Sequence, residues 1–380
     1  MYKYQEYSRF FAQIAGGSED LGAAELEELG AAESSPAYRG VYFNADHEAL
    51  YRINYCARLP TRILAPLTSF MCHDADYLYR IAREDVDWSD FLDVGRTFAV
   101  FANLSNSKIN HSRFAALRLK DAIVDQFRDR TGDRPSVDTR DPDLWLNLYI
   151  ENNHATISLG TSGGSLHRRG YRQGGGEAPM QETVAAAIIR MSEWDGERAL
   201  HDPMCGSGTL LAEALMHYCR IPASYLRGRF GFEMLPDFDL SVWERVKSDA
   251  DASMRPLPED LIVGSDIDAD ALETARVNLN ALPSGERVVL RQSDFRGLPD
   301  LENVTLVVNP PYGLRMGRGE NVARLIGDFG DFLNQKCTGS TAYVYVGKPE
   351  LLKSVGLRTS WKKPLVNGAL EGRLAKYELY

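Results

Sequence analysis

Cysteine is scarce and scattered. Five occur in 380 residues, at 56, 72, 205, 219 and 337, with no CxxC pair and no Cys/His ligand spacing. A disulfide framework and a zinc site are therefore poorly supported, no metal is expected, and a reducing cytoplasm fits. No run approaches the ~18 apolar residues of a membrane-spanning helix. The N-terminal MYKYQEYSRFFAQIAGGSED carries Glu6 early and lacks an apolar signal core, so it does not read as a targeting segment. A basic excess is missing too. Forty-three Lys and Arg face 53 Asp and Glu, a formal net charge of −10. Taken as a total, that argues against a nucleic-acid partner. There is no fixed-period repeat and no long low-complexity tract.

What is present is ordinary globular composition, 44% hydrophobic and 25% charged. The length predicts two or three domains, each large enough to bury a core. The clearest punctuation is 160–179, GTSGGSLHRRGYRQGGGEAP, with seven glycines in twenty residues. It reads as a linker or hinge. Before it, short strands (Arg9–Ile14, Gly40–Phe43, Thr97–Leu104, Leu144–Ile150, His154–Leu159) alternate with helices (Glu19–Leu29, His47–Tyr55, Ser112–Arg128). That predicts α+β packing, with Phe114 and Leu117 in the core. After it, strand–helix units repeat: strands at Arg198–His201, Leu261–Ser265, Val288–Gln292, Thr305–Val308 and Ala342–Gly347, with helices between. This predicts an α/β domain with a doubly wound, mostly parallel sheet and ligands outside its carboxyl strand ends.

Four motifs sit at those strand ends. In Asp202-Pro203-Met-Cys205-Gly206-Ser-Gly208-Thr209, the glycines permit a tight turn and close backbone approach to a ligand at a helix start. A dinucleotide loop would need a third glycine where Leu211 stands. An acid leading the loop suits the ammonium of a methionine moiety. Asp266, followed by Ile267, ends the next strand and is placed for ribose hydroxyls, far beyond the ~20-residue spacing of nicotinamide enzymes. Asp268 reads as a helix N-cap. Asp294 and Phe295 after the third strand suit an adenine amino group and ring, or equally a plain turn.

The fourth motif is the most specific: Asn309-Pro310-Pro311-Tyr312-Gly313 after a valine-rich strand. Prolines end the ladder and fix the backbone. An exocyclic amine is a poor nucleophile because its lone pair is delocalised into the ring. Two rigid acceptors, the Asn309 side-chain oxygen and the Pro310 carbonyl, favour a tetrahedral nitrogen whose lone pair points at a methyl donor. Tyr312 is placed to stack on the base.

With these motifs in order, the sequence resembles class I S-adenosylmethionine-dependent methyltransferases that modify exocyclic amines. Over nearly the whole chain, GGSEDLGAAELEELGA, SKINHSRFAALRLKDAIVD, LGTSGGSLHRRGYR, the FGFEMLPDF insertion and KPLVNGALEGRLAKYEL resemble the THUMP-domain RNA N2-guanine methyltransferases. The branch acting on large-subunit ribosomal RNA is the most similar, with tRNA enzymes next. N6-adenine methylation is the nearest rival, since NPPY is shared. A non-catalytic RNA-binding or assembly factor is the rival from another class. Gly160 departs from the Asp that often precedes Thr-Ser-Gly in that family. The resemblance implies a ferredoxin-like domain at 1–66, a THUMP domain at 67–160, a linker at 161–179 and a Rossmann-like methyltransferase domain at 180–380. The second methyltransferase domain fused in some relatives is not expected beyond Tyr380. The resemblance also implies S-adenosylmethionine held by the Asp202–Thr209 loop, Asp266 and Asp294, and catalysis at Asn309–Tyr312.

For RNA, charge matters locally. Residues 50–73 (Arg52, Arg58, Arg62), 105–120 (Lys108, Arg113, Arg118, Lys120) and 152–176 (Arg168, Arg169, Arg172) carry no acid. Residues 351–380 have six basic residues against two acids. Lys108, Arg113, Arg168, Arg169 and Arg172 are therefore the expected phosphate contacts, with Tyr171 expected to stack on a base.

Overall fold

The computed structural model describes residues 1–173, 180–311 and 319–380. Two compact units emerge. The first comprises Met1–Ile14, Gly22–Leu166 and Arg227–Lys247; the second comprises Ala15–Leu21, His167–Leu226 and Ser248–Tyr380. Among the described residues no helix is long and apolar enough to cross a membrane.

The N-terminal elements run α1 (Lys3–Tyr7), β1 (Arg9–Ile14), α2 (Glu19–Glu28), β2 (Ala32–Ala37), β3 (Gly40–Asn44), α3 (His47–Cys56) and β4 (Pro60–Met71). Next come α4 (Ala75–Glu84), β5 (Thr97–Ser105), α5 (Ser112–Thr131), β6 (Ser136–Val137), β7 (Leu144–Glu151) and β8 (His154–Gly160). Their strands make one eight-stranded sheet, β2-β3-β1-β4-β8-β7-β5-β6. The twelve-residue β4 pairs with β1 on one side and β8 on the other, so it joins what would otherwise be two small sheets. The sequence hides this strand. Its apolar residues do not alternate, and the register slips between Pro66 and Thr68, where proline supplies no ladder N–H.

Two expectations change here. Phe114 and Leu117 are each 48% exposed, whereas Ala115, Leu119, Ala122 and Phe127 are buried. The buried stripe of α5 is set by the 115–119–122 spacing, and 114 and 117 fall beside it. The described part of the glycine-rich stretch is also packed rather than free. Thr161, Ser162 and Leu166 are buried, the Thr161 hydroxyl donates to Asn54 Oδ1 at 3.2 Å, and the Leu166 N–H donates to the Thr61 carbonyl at 2.8 Å.

The Arg227–Lys247 excursion, expected inside a contiguous 180–380 domain, belongs to the first unit. Aromatic burial explains why. The Phe232 ring lies 4.5 Å from that of Tyr51, and Trp243 meets Tyr55 edge-on at 5.4 Å. Arg229 pairs with Asp143 at 2.8 Å. A buried Phe contributes ~1.5–3 kcal/mol, and an edge-to-face pair adds ~0.5–1.5 kcal/mol.

The remaining elements are α6 (Glu182–Met191), β9 (Leu200–Asp202), α7 (Thr209–Tyr218), α8 (Leu240–Ala252), β10 (Ile262–Asp266), α9 (Ala269–Asn280), β11 (Val289–Gln292) and β12 (Thr305–Val308). The chain closes with α10 (Gly319–Lys336), β13 (Thr341–Val346), β14 (Trp361–Asn367) and β15 (Leu370–Glu378). Their sheet has the order β11-β10-β9-β12-β13-β15-β14. The first five strands are parallel, and β15 inserts antiparallel between β13 and β14. This is the doubly wound sheet that the strand–helix alternation predicts. The order reverses between β9 and β12, which opens a crevice at their carboxyl ends.

Candidate active site

All four sequence motifs end the strands around that crevice. The loop after β9 leads into α7, whose N-cap, Gly208, offers no side chain, so the first N–H groups of the helix stay free for a ligand. Gly206 and Gly208 both take positive φ, +52° and +79°. They differ in surroundings. A Cβ on Gly208 would stand 3.1 Å from that of Ala275, whereas one on Gly206 would meet nothing within 4 Å. Gly208 packs α7 on α9, and Gly206 borders open space.

Two acids flank the loop. Asp202 is buried and accepts from the Met204 N–H at 3.1 Å. Burial pushes its carboxyl well above the usual carboxylate range, and the charge of Asp266 pushes the same way. Pro203 is buried beside it. Asp266, at the end of β10, accepts from the Gly206 N–H at 2.8 Å and the Asp268 N–H at 3.0 Å. It therefore ties the glycine loop to the neighbouring strand. Asp268 caps α9, accepting from the Asp270 and Ala271 N–H groups, as its position predicts. Ile267, between the two acids, is 66% exposed. The Cys205 thiol is buried, and its pKa is raised by burial and by both acids, so it is an inert packing group.

At the third strand end the structure shows the turn, which the sequence offered as the equal alternative to a ligand contact. Asp294 caps a short turn, accepting from the Arg296 N–H at 2.9 Å and pairing with its guanidinium at 2.8 Å. Phe295 does not face the crevice as a free ring. It is buried against Phe329 and Phe332, with centroids at 5.4 and 5.7 Å. The apolar stripe of α10 claims it, a contact between distant segments that spacing alone does not reveal.

After β12, Asn309 is half-buried and Pro310 buried. Asn309 Oδ1 is sealed from solvent and has no hydrogen-bond partner among the described residues. Tyr312 lies outside the described residues.

Of the expected RNA contacts, Lys108, Arg113 and Arg168 are exposed. Arg169, Tyr171 and Arg172 are corrections. Arg169 pairs with Glu213 at 3.2 Å, both side chains fully enclosed. Tyr171 is 1% exposed. Arg172 donates to Glu182 Oε1 at 3.0 Å, Thr209 Oγ1 at 3.0 Å and the Met180 carbonyl at 3.2 Å. The next residue continues the brace. The Gln173 N–H donates to Asn278 Oδ1 at 3.1 Å, and Asn278 Nδ2 donates to the Ser207 carbonyl at 3.0 Å. Residues 169–173 therefore support the glycine loop from behind. The signal that could have found this is an acid inside each of two nearly all-apolar helices, ETVAAAII and TLLAEALM, since a buried acid needs a partner.

His201, also unforeseen, is buried under the loop 3.2 Å from Ser265 Oγ. Burial, helped by Arg291, lowers its pKa to about 4, so it is neutral at ordinary pH.

A sheet reversing at β9/β12, with acids ending β9 and β10 and Asn-Pro-Pro after β12, defines the catalytic domain of a class I methyltransferase. Residues 169–376 match the family described as RMKL-like, methyltransferase domain, and this chain belongs to that family. Residues 72–160 match the THUMP domain and residues 9–64 the RlmL ferredoxin-like domain. The chain is similar to a Synechocystis sp. protein provisionally named an RNA methyltransferase, at 40% identity over 98% of this chain and 97% of that one. It is 42% identical, over 98% of its length, to the ribosomal RNA large subunit methyltransferase K/L of Syntrophotalea carbinolica, of which 53% is covered. It thus spans about half the length of the relatives of that name. Among solved structures it is similar to a provisionally assigned methyltransferase complexed with S-adenosylhomocysteine, with TM-score 0.85, 27% identity and 98% coverage of both chains.

Proposed function

We propose that this protein transfers the methyl group of S-adenosylmethionine to the exocyclic N2 of a guanosine in large-subunit ribosomal RNA. The observation that carries the reading is Asn309 Oδ1, a buried acceptor with no partner among the described residues, at the end of β12. Leaving such a group unmet costs ~1–3 kcal/mol, and an exocyclic amine in the crevice supplies the missing donor. The names of the K/L relatives favour ribosomal RNA.

S-adenosylmethionine supplies an electrophilic methyl on a sulfonium. The buried Asp202 suits its ammonium, which would offset the burial penalty on the carboxyl. Asp266 suits the ribose hydroxyls, Ile267 the adenine face, and the backbone at Gly206 and the start of α7 the remaining polar atoms. With the donor bound, the guanine nitrogen would form its bond to the methyl carbon as the carbon–sulfur bond breaks, and solvent or a neighbouring group would then take the proton. Asn309 and the Pro310 carbonyl hold the amine in line, so the rate gain is one of positioning.

Residues 1–66 and 67–160 are proposed to grip RNA as ferredoxin-like and THUMP domains, with Lys108, Arg113 and Arg168 contacting phosphate. Residues 161–179 connect them to the methyltransferase domain at 180–380. The test is incubation with labelled methyl donor and unmodified rRNA, tRNA or DNA, followed by nucleoside mass spectrometry. N2-methylguanosine in rRNA is expected; N6-methyladenosine as the product would overturn the base assignment.

A further inference from the structure

We infer that the face of the eight-stranded sheet opposite its α1, α2 and α5 layer is a binding surface for unstacked bases of single-stranded RNA. The inference relies on the proposed function only for RNA being the substrate.

Strand alternation gives this sheet two unlike faces. One is the core. It carries Phe10, Ala12 and Ile14 of β1, Val41 and Phe43 of β3, and the even-numbered residues 144–150 of β7, all buried. Helices cover it, as Tyr4 of α1 against Phe10, Gly22 of α2 against Ile14, and α5 against β5 and β7 show. The opposite face is built differently. In-register neighbours place Phe11 beside Tyr42, with ring centroids 4.8 Å apart, and the Arg9 guanidinium lies 4.9 Å from the Tyr42 ring. Further along, Phe101 of β5 stacks on Trp145 of β7 at 4.8 Å and 17°, with the Arg62 guanidinium 4.3 Å from the Phe101 ring.

Two of these rings are open to solvent, Tyr42 at 40% and Phe101 at 37%, while Trp145 is buried beneath Phe101. Exposed large apolar side chains gathered on one face mark a site rather than chance exposure.

Between the rings the floor is polar. Asn147 stands in register with Phe101 on one side and Ser158 on the other. It is 4% exposed, and its Nδ2 is buried with no acceptor among the described residues. Ser69 and Thr156 are paired to each other nearby at 2.9 Å. Half-buried hydroxyls between rings suit the polar edges of a stacked base.

A protein partner would favour an apolar centre with a polar rim. Here rings alternate with guanidinium groups and small polar side chains, the pattern that takes bases by stacking and phosphate by charge. A duplex keeps its bases stacked and shows phosphates and 2′-hydroxyls instead, so the ligand must be single-stranded.

The test uses the full chain and a fluorescein-labelled single-stranded RNA of about a dozen mixed nucleotides, with a duplex of the same sequence alongside. Binding is read by anisotropy. Phe101→Ala and Tyr42→Ala should each weaken single-strand binding about fivefold or more, the double variant should weaken it further, and Phe101→Trp should retain it. Melting temperature and S-adenosylhomocysteine affinity should not move, because both positions are exposed and neither is assigned to the cofactor. Wild-type affinity in the double variant, or equal affinity of the wild type for the duplex, would overturn the proposal. Nucleoside analysis of rRNA treated with the wild type is run in parallel. Absence of N2-methylguanosine beside ring-dependent RNA binding would remove the catalytic reading and leave this surface standing.

Discussion

Arg169 and Glu213 face each other at 3.2 Å with both side chains wholly enclosed, linking the glycine-rich segment to the middle of α7. Burial alone would pull the Arg169 pKa down; Glu213 outweighs it and the net direction is up. Removing one member of such a pair strands the other charge. Glu213→Leu should therefore lower stability by ~3–5 kcal/mol, read as a shift in the denaturant midpoint. An unchanged midpoint would show that the pair does not brace the segment.

Asn309→Ala should separate catalysis from stability. The side chain's oxygen is already unmet, so losing it removes a desolvation cost rather than a bond. The melting temperature should hold or rise slightly and S-adenosylmethionine binding should stay near wild type, while methyl transfer disappears. Normal turnover in this variant would end the catalytic assignment.

Asp202→Asn tests the other half of the crevice. Because burial raises the Asp202 carboxyl pKa, the neutral amide should fold at least as well. Cofactor affinity should nonetheless fall about tenfold or more, since a buried ammonium–carboxylate contact is lost. Calorimetric titration with S-adenosylhomocysteine decides it; equal affinity would place the ammonium elsewhere.

His201 gives the fold an acid limit. Its pKa is about 4 in the folded protein against an ordinary value of 6.5. Between those values the unfolded chain takes up a proton that the folded chain refuses. The contribution is thus full above pH 6.5 and declines as pH falls toward 4, by about 3 kcal/mol in all. Melting temperatures from pH 7 to 4 should fall less steeply for His201→Gln than for wild type. Parallel slopes would assign the acid sensitivity to other groups.

The strand ends were readable from the sequence because their determinants are local. Glycines at 206 and 208 are needed for positive φ, Asp268 caps the helix it precedes, and the prolines at 310 and 311 end a valine-rich strand whatever surrounds them. The β–α alternation then put those motifs on one edge of one sheet. Burial was another matter. Arg169, Tyr171 and Arg172 form a basic, surface-like string in the sequence, yet the first two are enclosed and the third is held by Glu182 and Thr209. Phe295 reads as a ligand's lid and is claimed by Phe329 and Phe332. Phe114 reads as core and is exposed. Each outcome depends on a partner far away in the chain, and hydrophobic burial and ion pairing are set by those distant neighbours rather than by adjacent residues. The open aromatic face of the first sheet belongs to the same class. It exists only because β4 aligns Arg9, Tyr42, Phe101 and Trp145 on one side of a continuous ladder, which no stretch of sequence contains.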